Sequence, residues 1–80
     1  DGDMDMKPIE EDVDRALLAR AVSRLPEREQ TIITMRFGLN GSRERTQKEV
    51  ADQLGISQSY ISRLEKRIIA RLKKEILRML

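Results

Sequence analysis

Between Thr46 and Arg67 (TQKEVADQLGISQSYISRLEKR) the apolar positions fall into two helical periods separated by one glycine. Val50, Ala51 and Leu54 share one face of a short first helix, and Ile61, Leu64 and Ile68 recur at spacings of three and four along a second. Thr46, with Glu49 three residues on, reads as a capping box at the start of the first helix. Gly55 sits where that helix must stop, because glycine takes the left-handed backbone at little steric cost. Ile56 follows as an apolar plug and Ser57 as the N-cap of the second helix. Ala51 is small where a crossing helix must approach closely. The pattern is that of a helix-turn-helix whose second helix can enter a DNA major groove; an ordinary packed helical hairpin is the competing reading.

The same periodicity extends to both sides. Val13, Leu17, Ala21 and Leu25 form an apolar stripe, widened by Leu18 and Val22, which predicts a helix from about Ile9 to Ser23. Pro8 suits its first turn, and Glu10, Glu11 and Asp12 suit the positive end of its dipole. Pro26 begins a second helix, PEREQTIITMRFG, with Ile32, Ile33, Met35 and Phe37 as its buried face and Gly38 as its C-cap. Leu39 to Arg45 carries Asn40-Gly41 and reads as a loop with Leu39 tucked inward. The last helix runs from Ser57 to about Met79 with the inward stripe Ile61, Leu64, Ile68, Leu72 and Ile76, leaving Ile69, Leu77 and Leu80 partly outside it. The expected fold is all-α: a small four-helix domain over 8–80, with a helix-turn-helix at 46–67 and a long C-terminal recognition helix. Residues 1–7 (DGDMDMK) lack periodicity and are expected to be an acidic, disordered stretch.

Composition narrows the function classes. The chain has no cysteine and no histidine, so disulfides, thiolate metal sites and the commonest general base are absent. No Asp or Glu lies in an apolar stretch that would shift its pKa, so the sequence offers no catalytic constellation, no cofactor site and no enzyme. With Phe37 and Tyr60 as the sole aromatics, RNA binding by stacked aromatic platforms is disfavoured. Charge is strongly segregated: Asp1 to Asp14 holds seven acidic residues against Lys7, whereas Arg63 to Arg78 holds seven basic residues against Glu65 and Glu75. A basic face beside a recognition helix is the electrostatic footprint expected for phosphates, although such a run is also the ordinary solvated side of a helix. No apolar run approaches membrane-spanning length and no signal-peptide pattern opens the chain, so the reading is cytoplasmic, without membrane partners. The lack of an initiating Met suggests a piece of something longer.

The run LPEREQTIITMRFGL followed by TQKEVADQLGISQSYISRLEKRIIARLKKEI resembles the C-terminal promoter-binding domain, region 4, of RNA polymerase sigma factors of the primary-sigma superfamily. The resemblance covers about Ile9 to Ile76, and GISQSYISRLEKR is most similar to the sporulation sigma factors of endospore-forming bacteria, sigma-E first and sigma-K next. It implies a domain that does no chemistry. Such a domain binds the −35 element of double-stranded promoter DNA in the major groove, docks on the β flap of the polymerase core, and leaves room for an anti-sigma or regulator protein as a further partner. Carried over by position, Gln58, Ser59 and Arg63 fall where base edges are read, in agreement with their place early on the recognition helix and off the Ile61/Leu64 stripe. Glutamine can bond adenine bidentately, and arginine guanine O6 and N7. Primary sigma factors carry charged residues where this chain has Gln58 and Ser59, so their −35 sequence does not transfer. Arg28 and Arg36 match backbone-binding arginines, and Thr46, Gln47 and Lys48 match a helix start whose N–H groups can hold a phosphate. Tyr60 and Arg67 are flanking phosphate contacts, with packing of Tyr60 on the turn as the alternative. The polymerase-flap surface is expected on Leu17, Ala21, Ile32 and Ile33.

Two other classes compete. An autonomous, dimeric helix-turn-helix regulator would use the extra apolar residues of the last helix and need a two-fold DNA site. A helical module that binds protein alone would be indifferent to replacement of Gln58 and Arg63 by alanine.

Overall fold

The computed structural model describes residues 15–80. The expectations placed on 1–14, including the acidic opening, the helix start at Pro8 and the stripe position Val13, lie outside the described residues. Within them the chain forms α1 (15–23), α2 (Glu27–Phe37), a 3-10 turn (Leu39–Gly41), α3 (Gln47–Leu54) and α4 (Gln58–Met79). No strand occurs among the described residues, and the all-α expectation holds.

Each boundary has a local cause. The α1–α2 corner is closed by Gln30, whose Nε2 donates to the Leu25 carbonyl at 2.8 Å, while Pro26 supplies the extended entry to α2. At the end of α2, Gly38 takes the left-handed conformation (φ 66°), and its N–H donates to the Thr34 carbonyl. The segment after it, expected to be a plain loop, contains the 3-10 turn, with Asn40 itself left-handed at φ 56°. The chain then folds back so that the Arg45 N–H donates to the Met35 carbonyl at 3.0 Å. This return runs directly over Gly38, where an added Cβ would stand 2.9 Å from both Glu44 N and Ser42 O.

The capping box at the start of α3 is complete: Thr46 Oγ1 accepts from Glu49 N at 3.1 Å, and Glu49 Oε1 accepts from Thr46 N at 2.8 Å. Gly55 ends α3 at φ 71°, and Ser57 Oγ caps α4 by accepting from Tyr60 N at 3.1 Å. Turn and caps match the pattern of the sequence.

The core is one aliphatic cluster in which α2 is the central helix. Ile32, Ile33 and Met35 are all buried, and at roughly 100° per residue they span an arc of about 160°, nearly half of the helix circumference. Ala51 is 3% exposed at the α3–α4 crossing, and Ile61, Leu64, Ile68 and Leu72 complete the core from α4. Two expectations are corrected here. Ala21, Ile32 and Ile33, expected both in the inward stripes of their helices and on a polymerase-facing surface, are 0%, 0% and 1% exposed, which agrees with the first expectation and corrects the second; of the expected surface set only Leu17 is half-buried. Phe37, expected in the core, is 42% exposed, because it stands at the rim of a groove between α1, α2 and α4 that no element covers among the described residues.

Candidate nucleic-acid interface

The stripe that fixes α4 in the core also fixes what it presents. With Ile61 and Leu64 turned inward, Ser59 and Arg63 fall on the opposite side of the helix, and Gln58 lies exposed in its first turn. All of these base-reading candidates are exposed at the N-terminal end of α4, the end a recognition helix directs at base edges. The Arg63 guanidinium lies 5.9 Å from the centre of the Tyr60 ring, one turn earlier on the same exposed side. That distance permits a weak cation–π contact. Tyr60 is 39% exposed, with part of its ring open to solvent beside Arg63.

Beside α4, an open depression of about 420 Å³ gathers Arg36, Arg45, Thr46, Gln47, Lys48 and Gln58, with Glu44 as an acidic neighbour. Five of the residues singled out from sequence thus meet in one place. The start of α3 points its free N–H groups and its positive dipole end into this region, a favourable setting for an anion. Arg28 and Arg67 do not line it; both are exposed and make no ion pair among the described residues. Arg45 lines the depression although sequence reasoning did not single it out; its place immediately before the cap residue was a usable signal.

Arg36 differs from a free phosphate-seeking arm. Its Nε donates to Glu65 Oε1 at 3.0 Å and its Nη1 to the Arg45 carbonyl at 3.2 Å, and its side chain is 23% exposed. Gln47 Nε2 donates to the same Glu65 oxygen at 2.9 Å. Glu65 is the buried charged residue among those described, at 9% exposure, and as an acid within a basic run it escapes a reading by composition. Its phase, four residues after Ile61 and three before Ile68, places it on the inward stripe. The basic run is also partly neutralised within the fold: Arg71 pairs with Glu29 at 3.1 Å, and Arg78 and Arg24 reach Glu75 at 3.6 and 3.7 Å. Arg63, Lys66, Arg67, Lys73 and Lys74 make no ion pair among the described residues and form the outward basic face.

The capping box carries a pH signature. The Thr46 backbone N–H, donating to Glu49, holds that carboxyl below its ordinary range, with Arg43 adding a smaller electrostatic contribution. A carboxyl whose folded pKa is depressed adds stability that is present above its unfolded pKa and disappears as pH falls through the folded one. The Thr46 amide shift in NMR is therefore expected to titrate with a midpoint below that of a free glutamate. Glu49→Gln should abolish that inflection; an inflection that survives would assign it to another acid.

No helix among the described residues is long and apolar enough to cross a membrane, and no group of three metal-ligating side chains occurs among them. Two hollows share Leu18 and Leu39: one lies between α1 and the 3-10 turn, and a smaller, apolar one of about 240 Å³ lies between Leu18, Phe37 and Leu39 and the second half of α4 at Ile69 and Ile76.

Comparison with known proteins agrees with this geometry. Residues 21–74 match the family described as Sigma-70, region 4. An RNA polymerase sigma-E factor of Clostridium acetobutylicum is 62% identical over 80 residues, which is all of this chain and 34% of that protein. The RNA polymerase sigma-K factor of Bacillus subtilis is 48% identical over 54 residues (68% of this chain, 18% of that protein). The sigma-F factor of the same organism is 43% identical over 63 residues (79% and 23%). The chain thus spans about a third of the length of the sigma-E relative and less of the others. With the family matched over more than half of its residues, on four helices that end in a capped helix-turn-helix, the chain belongs to the Sigma-70 region 4 family.

Proposed function

We propose that this chain is the promoter-recognition domain of a sporulation-type sigma factor, working in the cytoplasm as part of an RNA polymerase holoenzyme. The N-terminal end of α4 enters the major groove of the −35 element, where Gln58, Ser59 and Arg63 read base edges. Thr46, Gln47, Lys48 and Arg36, with Arg28, Tyr60 and Arg67 flanking, contact the phosphate backbone. The apolar hollow bounded by Leu18, Phe37, Leu39 and Ile69 docks on the β flap of the polymerase, in place of the buried Ala21, Ile32 and Ile33. The observation that carries the reading is the juxtaposition of an unobstructed Gln58/Ser59/Arg63 face with the polar, basic depression at the start of α3. One recognition helix covers few base pairs, so the isolated domain binds DNA weakly but measurably, and tethering within a holoenzyme raises its effective concentration.

The test is sequence selection from a randomised duplex pool with wild type and Arg63→Ala side by side. The substitution is expected to weaken the preferred duplex by roughly 1–3 kcal/mol and to relax preference at one base position. Equal losses on every sequence would remove Arg63 from base reading.

A further inference from the structure

We propose that Glu65 is a positioning residue for backbone-phosphate binding: one buried carboxylate oxygen, sharing Arg36 Nε and Gln47 Nε2, fixes both side chains at the rim of the depression at the start of α3. The proposal rests on the DNA-binding reading above and concerns how its phosphate contacts are arranged.

The geometry is specific. Glu65 Oε1 accepts from Arg36 at 3.0 Å and from Gln47 at 2.9 Å, so a single atom on α4 ties the end of α2 to the first turn of α3. The second tie from Arg36, Nη1 to the Arg45 carbonyl at 3.2 Å, prevents rotation of the guanidinium about its Nε bond. Arg36 Nη2 and the Gln47 side-chain oxygen are left without a partner among the described residues. Arg36 and Gln47 line the same open depression of about 420 Å³ as Arg45, Lys48 and the α3 N-terminus, which places two arginines, the helix dipole and a lysine around one space, with Glu44 as the acidic neighbour. Without the carboxylate, Arg36 and Gln47 would each have to be ordered at the moment of binding, a cost that a prefixed arrangement avoids.

This role makes a prediction of opposite sign to simple electrostatics. A carboxylate close to bound phosphates repels them, so its neutralisation should strengthen binding if charge alone mattered. If Glu65 acts by holding Arg36 and Gln47, neutralisation should weaken binding despite the more favourable net charge.

The experiment measures the affinity of wild type, Glu65→Gln and Glu65→Asp for a 20-base-pair mixed-sequence duplex across a range of salt. Mixed sequence isolates the backbone contribution, and amide NMR spectra confirm the fold of each variant. Glu65→Asp keeps the charge and withdraws the carboxylate by one methylene, so it tests the proposal even if Glu65→Gln fails to fold. The expected result is binding weaker by roughly five- to tenfold, with the slope of log K against log salt reduced in magnitude by about one, the loss of one phosphate contact. A folded variant that binds as tightly as wild type, or more tightly, overturns the proposal. So does weaker binding with an unchanged slope, which is what a purely structural role produces. Wild type that binds no duplex at all overturns the DNA reading itself, and this proposal with it.

Discussion

Gly38→Ala is expected to destabilise the domain by roughly 2–4 kcal/mol, whereas Gly55→Ala should cost only about 1 kcal/mol, although both glycines cap helices at almost the same backbone angle. Their φ values are 66° and 71°, so the intrinsic strain of a left-handed alanine is common to both. The difference lies in what surrounds them. A Cβ at Gly55 meets nothing within 4 Å, but at Gly38 it stands 2.9 Å from two backbone atoms of the returning 42–44 segment. Backbone cannot turn aside as a flexible side chain can. The segment must shift, and the nearby Arg45 N–H to Met35 O bond goes with it. At roughly 4–8 °C per kcal/mol for a domain of this size, Gly38→Ala should lower the melting temperature by about 8–32 °C. The damage would also reach the interface, because the same segment carries Arg45 and leads into Thr46. Thermal denaturation of both variants checks the contrast; similar melting temperatures would mean that the returning segment does not lie over Gly38.

Ile61→Ala should cost about 2–5 kcal/mol, the range for a large aliphatic side chain removed from a site that cannot collapse. Ile61 is fully buried and belongs to the central cluster from the first turns of the recognition helix. The whole domain is expected to be stable by only about 4–12 kcal/mol, so this single cavity removes a large part of the margin. It also loosens the segment that aims Gln58, Ser59 and Arg63 outward, so specific DNA binding should fall with stability even though Ile61 touches no DNA. Leu77→Ala provides the control: at 70% exposure it should change stability by no more than about 0.5 kcal/mol. Urea denaturation distinguishes the two, and an Ile61→Ala midpoint equal to wild type would contradict the packing described for α4.

Much of this was legible in the sequence because it is written locally. A capping box needs Thr46 and Glu49 at a fixed spacing, a left-handed stop needs a glycine such as Gly38 or Gly55, and the stripe of α4 repeats every three to four residues. The features that sequence reading misplaced depend on which elements meet. Ile32 and Ile33 were legible as the apolar face of α2, but whether that face meets the domain's own helices or a partner was not, and both are buried within the domain. Phe37 keeps helical phase with Ile33 yet emerges at the groove rim, because phase gives a direction and not the presence of a covering element. For Glu65, two cues conflict. Its neighbours in the basic run suggest solvent, its phase suggests the core, and phase prevails because Arg36 and Gln47 arrive from α2 and α3 to satisfy the charge. The candidate site was legible for the same local reason as α4, and its phosphate side was less so, since that side is assembled from three elements.

Duplex binding alone would not separate a sigma factor from an autonomous helix-turn-helix regulator; docking on polymerase does. The direct measurement is an amide NMR titration of this chain with an isolated β-flap fragment of RNA polymerase. A sigma factor domain should give saturable one-to-one binding, with shifts centred on Leu18, Phe37, Leu39 and Ile69 and with Gln58 to Arg63 unmoved. Absence of binding by a folded, monomeric sample, or shifts centred on the recognition helix, would contradict it.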